Sequence, residues 1–93
     1  MKRGMRVKVK LIGIARDVFG PTADVVVGEG ATVKDVITEL VRRHRGKLSG
    51  REREYATKFL NRSRIILNEE YSDVSAKVRD GDVITLITLA AGG

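Results

Sequence analysis

Asp80-Gly81-Asp82-Val83-Ile84-Thr85-Leu86-Ile87-Thr88-Leu89-Ala90-Ala91-Gly92-Gly93 is the stretch that decides the fold. Its opening Asp-Gly-Asp is turn chemistry, because short carboxylates bond to nearby backbone N–H groups and glycine tolerates φ > 0. Val83 to Leu89 follow, all apolar or threonine and none charged. An uncharged β-prone run of this kind predicts a strand at the centre of a sheet rather than at its edge. Every residue after Leu89 is small, so the sequence closes on a slim segment with no bulky side chain.

Working back from that strand, Met5, Val7, Val9 and Leu11 alternate with Arg6, Lys8 and Lys10. This period of two predicts a strand over residues 5–14 with one buried face. Gly20-Pro21 marks a turn, and residues 23–28 predict a second strand that pairs with the first as a hairpin. Thr32 is an N-cap with Asp35 three residues on, and Val33, Val36, Ile37, Leu40 and Val41 form a single apolar stripe at helical spacing. Arg42, Arg43 and Arg45 suit the negative end of that helix, and Gly46 is expected to stop it.

A short second helix is expected at 52–60, where Tyr55 and Phe59, and Glu54 and Lys58, stand four residues apart. Arg64 to Asn68 predict a third strand, Glu69-Glu70 a turn, and residues 71–74 a short edge strand. The order β-β-α-β-(β)-β in 93 residues predicts one α+β domain over residues 1–93, a sheet covered on one face by one main helix.

The composition excludes most catalytic chemistry. There is no cysteine and a single histidine, His44, so no thiolate nucleophile and no closed zinc shell are available, and no metal site is expected. The carboxylate pairs Asp80/Asp82 and Glu69/Glu70 fall in predicted turns, where such residues serve the backbone. His44 falls at the end of the long helix, where an imidazolium suits the dipole. Nothing supports a triad of Ser49 with His44. Gly46-Lys47 fails the phosphate-loop pattern, because Val41 stands where the first glycine belongs and Leu48 where Ser or Thr belongs.

The net charge of +6 is unevenly spread: +5 over residues 1–10, −3 over 11–41, +7 over 42–64 and −3 over 65–93. Basic blocks can bind phosphates, yet Phe19, Tyr55, Phe59 and Tyr71 do not alternate with basic residues on any predicted strand face. Nucleic acid is therefore not the expected partner; solvated faces or an acidic protein are. The absence of glutamine, the two asparagines and the preference for Arg over Lys are compositional marks of a thermophilic source. The apolar runs are too short to span a membrane and no signal-peptide pattern opens the sequence, so a cytoplasmic protein is expected.

The strand order, Thr32-Val33-Lys34-Asp35-Val36, Ile66-Leu67-Asn68 with its acidic turn, Leu11 to Gly20 including Arg16, and Asp80-Gly81-Asp82-Val83-Ile84 before Gly92-Gly93 together resemble the MoaD/ThiS family of ubiquitin-like sulfur carriers. The family often has glycine at the position of Glu69, and proline ahead of its terminal glycines where this sequence has Thr88-Leu89-Ala90-Ala91. The resemblance implies a β-grasp fold, a mixed sheet of four to five strands whose first and last strands pair in parallel beneath the helix.

It also implies a carrier that is not itself an enzyme. An adenylyltransferase related to ubiquitin-activating enzymes, using ATP and Mg, would adenylate the Gly93 carboxylate, and a sulfur donor protein would then supply sulfur to leave a thiocarboxylate. Within that family the favoured expectation is the molybdopterin synthase small subunit of molybdenum cofactor biosynthesis, whose partner is the synthase large subunit. Sulfur donation for tRNA thiolation or thiamin synthesis, and conjugation to lysines as a protein modifier, are the alternatives. No cofactor is expected on the chain itself. Gly92 and Gly93 are the expected site, and Ile12, Ile14, Ile87, Leu89, Ala90 and Ala91 the candidate docking residues, the isoleucines and Leu89 on an exposed sheet face.

Overall fold

The alternation near the start of the sequence becomes a strand because one of its faces has a partner to be buried against. A computed structural model describes residues 4–88 of the chain. Its elements run β1 (Met5–Gly13), α1 (Ile14–Phe19), β2 (Thr22–Val27), α2 (Val33–Arg43), α3 (Gly50–Asn61), β3 (Arg64–Leu67), β4 (Glu70–Ser72) and β5 (Val83–Thr88). The five strands form one mixed sheet in the order β2-β1-β5-β3-β4. β1 runs parallel to β5 and antiparallel to β2, while β3 is antiparallel to both β5 and β4. This is the β-grasp arrangement, with β5 at its centre as its uncharged sequence predicts. Among the described residues no helix is long and apolar enough to cross a membrane.

Val7, Val9 and Leu11 of β1, Val25 and Val27 of β2, Ile84 and Leu86 of β5 and Ile65 of β3 all point to the face covered by α2. From that helix the whole predicted stripe, Val33, Val36, Ile37, Leu40 and Val41, is buried in return. Four of those five residues are β-branched, which costs a helix a few tenths of a kcal/mol each, but burial contributes about 1.5–3 kcal/mol per side chain, so packing decides.

The start of α2 is closed twice. Thr32 and Asp35 form a capping box, and the N–H groups of Val33 and Lys34 donate to the carbonyls of Ala76 and Val74 in the β4–β5 crossover. The free donors of a helix start are thereby satisfied by chain that must pass this point to reach the sheet centre.

Two features differ from the sequence reading. The β1–β2 connection contains a helix, α1, where only the Gly20-Pro21 turn was expected, so Ile14 is the first residue of a helix and not part of the strand. Gly46 also does not terminate α2. The helix ends at Arg43, His44 is extended (φ −62°, ψ 127°), and the ending is made by Arg53 of α3, whose guanidinium donates to the carbonyls of Val41 and His44. A charged donor on the last carbonyls removes the need for a left-handed glycine. Gly46 serves close approach instead: a Cβ there would lie 2.2 Å from Nε2 of His44, whose ring packs edge-on to Phe19 at 4.8 Å.

α3 occupies the expected short helix and extends it at both ends. Ser49 and Glu52 give it a second capping box, Leu60 is buried, and Ala56 and Phe59 pack against the core.

Two predictions follow from these helix ends. Arg53→Ala removes two charge-assisted bonds from the end of α2 and is expected to cost about 1–2 kcal/mol, read as a lower midpoint of urea unfolding. On α2, Glu39 accepts from Arg42 Nε (2.8 Å) and Nη2 (2.9 Å) and from Arg43 Nε (2.6 Å). The hydrogen bond from Arg42 first, then that from Arg43, outweighs burial and holds the carboxyl at about 2. A lowered carboxyl contributes stability above its unfolded pKa and loses it as pH falls through the folded value. The contribution should therefore vanish between about pH 5 and pH 2, and because both arginines are exposed it amounts to about 1 kcal/mol or less. Glu39→Gln should flatten the unfolding midpoint over that window.

Candidate functional site

The end of β5 is where the fold delivers the small-residue segment, and its geometry is set by a threonine. Thr88 faces the core and is 2% exposed. Its hydroxyl donates to the carbonyl of Ile12 (2.8 Å) and accepts from the N–H of Ala15 (3.0 Å), joining the end of β5 to the end of β1 and the start of α1. Gly13, its register partner, adopts φ 95°. A Cβ at Gly13 would lie 1.4 Å from the backbone oxygen of Thr88, so only glycine lets the two strand ends approach in this way. The sequence reading missed this pair: a Gly-x-x-Arg run and an isolated Thr in a strand carry no such signal one at a time.

On the sheet face away from α2, register places Ile12, Ile87 and Arg64 in one row across β1, β5 and β3 at this same end. Ile12 is 50% exposed and Ile87 half-buried. Ile14 is also exposed, but on α1, where it is joined one turn later by exposed Val18. Two of the candidate docking residues thus sit side by side on the open face and the third lies on the adjoining helix. Val18 was not anticipated, because without α1 it has no face. Leu89, Ala90, Ala91, Gly92 and Gly93 lie outside the described residues.

The next rows of the open face add Lys10, Thr85, Ile66 and Tyr71, and then Lys8 and Val83. The face is a mixture of apolar side chains and lysine or arginine, with Asp24 opposite Lys8 on β2. Phe59, Arg62, Ser63 and Arg64 form a groove with Ile87 and Thr88 where α3 runs into β3.

The remaining polar residues are engaged in structure. Asp80 Oδ1 accepts from Arg6 N, Asp82 Oδ2 from Arg79 N, and Asp82 Oδ1 from Asn68 Nδ2 (3.2 Å). Gly81 takes φ 88° at this turn. Asn68, at φ 60°, carries the β3–β4 turn itself, so Glu69 has no need to be glycine. Ser49 caps α3, accepting from Glu52 N at 3.1 Å. Among the described residues no three His, Asp or Glu side chains gather as a metal would require.

The clamp is open to test. Thr88→Val leaves the buried Ala15 N–H and the Ile12 carbonyl without this partner and should cost about 1–3 kcal/mol. Thr88→Ser keeps the hydroxyl and should recover most of it; equal unfolding midpoints for the two variants would show that the bonds do not matter.

A sequence model described as the ThiS family matches residues 9–93. No curated protein matches the chain. Three solved structures share the architecture. Small archaeal modifier protein 1 of Haloferax volcanii is 22% identical, with a TM-score of 0.70 over 94% of this chain and 100% of that one. A protein assigned as molybdopterin converting factor subunit 1 of Pyrococcus furiosus is 24% identical, with a TM-score of 0.69 over 92% and 99%. A chain of the BexX/CysO complex of Amycolatopsis orientalis is 29% identical, with a TM-score of 0.61 over 94% and 99%. With a β-grasp sheet whose first and last strands are locked in parallel, and a family match that runs from β1 through Gly93, the chain belongs to the ThiS family of ubiquitin-like sulfur carriers and modifiers.

Proposed function

We propose that the protein carries sulfur on the carboxyl group of Gly93, and that it acts as the small subunit of a molybdopterin synthase. The observation that carries the reading is the clamped end of β5. It holds the chain at Thr88, five residues before Gly93, and presents Leu89-Ala90-Ala91-Gly92-Gly93 from a fixed point beside an apolar row.

The chemistry fits what the chain lacks. A carboxylate is a poor electrophile at neutral pH, so its oxygen must first attack the α-phosphate of ATP, releasing pyrophosphate and forming an acyl-adenylate. Hydrosulfide released by a sulfur donor then adds at the carbonyl carbon, AMP leaves, and loss of the proton gives the thiocarboxylate. Neither step needs a side-chain acid, base or nucleophile on the carrier. The groups that bind ATP and Mg belong to an adenylating partner related to ubiquitin-activating enzymes, and the sulfur comes from a donor protein. Gly92 and Gly93 let backbone pass close to the walls of an active site, and Ala90 and Ala91 keep the approach narrow. Ile12 and Ile87, with Ile14 on α1, provide apolar surface for the docked partner, in this reading the synthase large subunit once sulfur is loaded.

Incubating the full chain with its cognate adenylating enzyme, ATP, Mg and a sulfur donor should produce an adenylate and then an oxygen-to-sulfur mass increase on the peptide containing Gly93. Deleting Gly93 should abolish both. A chain that acquires neither product refutes the carrier reading, and Gly-Gly remnants on lysines of other cellular proteins would assign it to protein modification instead.

A further inference from the structure

α3 carries more positive charge than its folding uses. Arg53 faces α2 and closes that helix, but Arg51, Lys58 and Arg62 line the opposite side in one shallow groove with Glu54, Tyr55 and Phe59. Phe59 and Arg62 belong as well to the groove that contains Arg64, Ile87 and Thr88. The two grooves therefore adjoin at Phe59 and Arg62, and together they line a path along α3 toward the clamp. Lys58 has an ion pair with Glu54, at 3.4 Å and with both side chains 71% exposed. Among the described residues Arg51, Arg62 and Arg64 have none. Between these cations Tyr55 is 60% exposed and its ring lies 6.4 Å from that of Phe59.

Cations that outnumber their acidic neighbours repel one another and weaken the fold slightly, and an exposed tyrosine ring leaves apolar surface in water. Both become favourable when an anionic surface carrying an apolar side chain covers them. We propose that the α3 path docks an acidic segment of the protein that takes up the tail, with an apolar side chain of that segment seated on Tyr55 and Phe59. This rests on the reading of Gly93 as the reacting end and names a second contact region, separate from the open sheet face. Position favours a protein over a nucleic acid, because whatever receives a chain leaving Thr88 must lie over the end of this path. Composition favours it too: a single well-exposed ring offers little stacking. Long-range attraction to such a stripe accelerates encounter and is weakened by salt.

The test uses the full chain and the cognate adenylating enzyme, following pyrophosphate release against carrier concentration. For the triple variant Arg51→Glu/Lys58→Glu/Arg62→Glu, the half-saturating concentration should rise about tenfold or more while the saturated rate stays unchanged. Arg51→Gln/Arg62→Gln, which adds no like charge next to Glu54, should give a smaller rise in the same direction. Raising NaCl from about 50 to about 500 mM should raise the wild-type value and leave that of the triple variant nearly flat. Circular dichroism melts establish that the variants are folded, and the wild-type salt response decides the matter if the triple variant is not.

Unchanged half-saturation in the folded variants overturns the proposal and leaves the carrier reading intact. A wild-type chain that releases no pyrophosphate overturns both. Binding to a polyuridine oligonucleotide that is tighter than to the enzyme, and lost in the triple variant, assigns the stripe to nucleic acid and also overturns it.

Discussion

One hydroxyl holds the two ends of this fold together. Thr88 bridges the carbonyl of Ile12 and the N–H of Ala15 at the place where Gly13 allows the closest approach of β1 and β5. Pairing of the two strands is itself ordinary parallel sheet, but parallel strands close in sequence space only through a long crossover. Here the crossover is nearly the whole chain. Both flanking strands, β2 and β3, depend on it for position, since each hydrogen-bonds to one member of the central pair. α2 in turn has a single flat surface to cover only because β1 and β5 are in register.

The distribution of charge follows the same division of labour. The carboxylates of Asp80 and Asp82 serve backbone and Asn68 at the turn into β5, Asp35 and Glu52 close helix starts, and Glu39 holds Arg42 and Arg43. On α3 only Glu54 remains to offset the outward arginines and lysine, and it pairs with Lys58. The stretch 42–64 therefore presents a local excess of positive charge, suited to meeting an acidic surface. The chain also has no thiol, because no cysteine is present.

Much of this was legible in the sequence. The alternation Met5 to Leu11, the stripe from Val33 to Val41, and the uncharged run from Val83 are strong local patterns, and the sheet centre and the core face follow from them. α1 was not legible. Ile14 to Phe19 has no apolar stripe longer than one turn, and its helix starts from a glycine whose φ of 95° is imposed by Thr88, 75 residues away. The end of α2 failed for the same reason, since its terminator is an arginine from the next helix rather than the glycine three residues on. The open-face row Ile12–Ile87 could be anticipated from residue type, but its neighbour Arg64 needed the register, and the grooves of α3 needed a helix longer than periodicity alone suggested.

The central position of β5 also governs when the molecule becomes whole. Among the described residues β5 is the last strand made and the only one that joins the β1–β2 half of the sheet to the β3–β4 half. Until it has been synthesised, the growing chain holds two unconnected ribbons and an amphipathic helix with no complete surface to cover. Non-local pairing of this kind delays folding until the loop can close. A chain broken off before Val83 lacks the strand that unites the sheet and the segment that follows it, both at once. Birth order and architecture thus act as an inspection: Gly92 and Gly93 are carried only by chains that already hold the strand around which the scaffold closes.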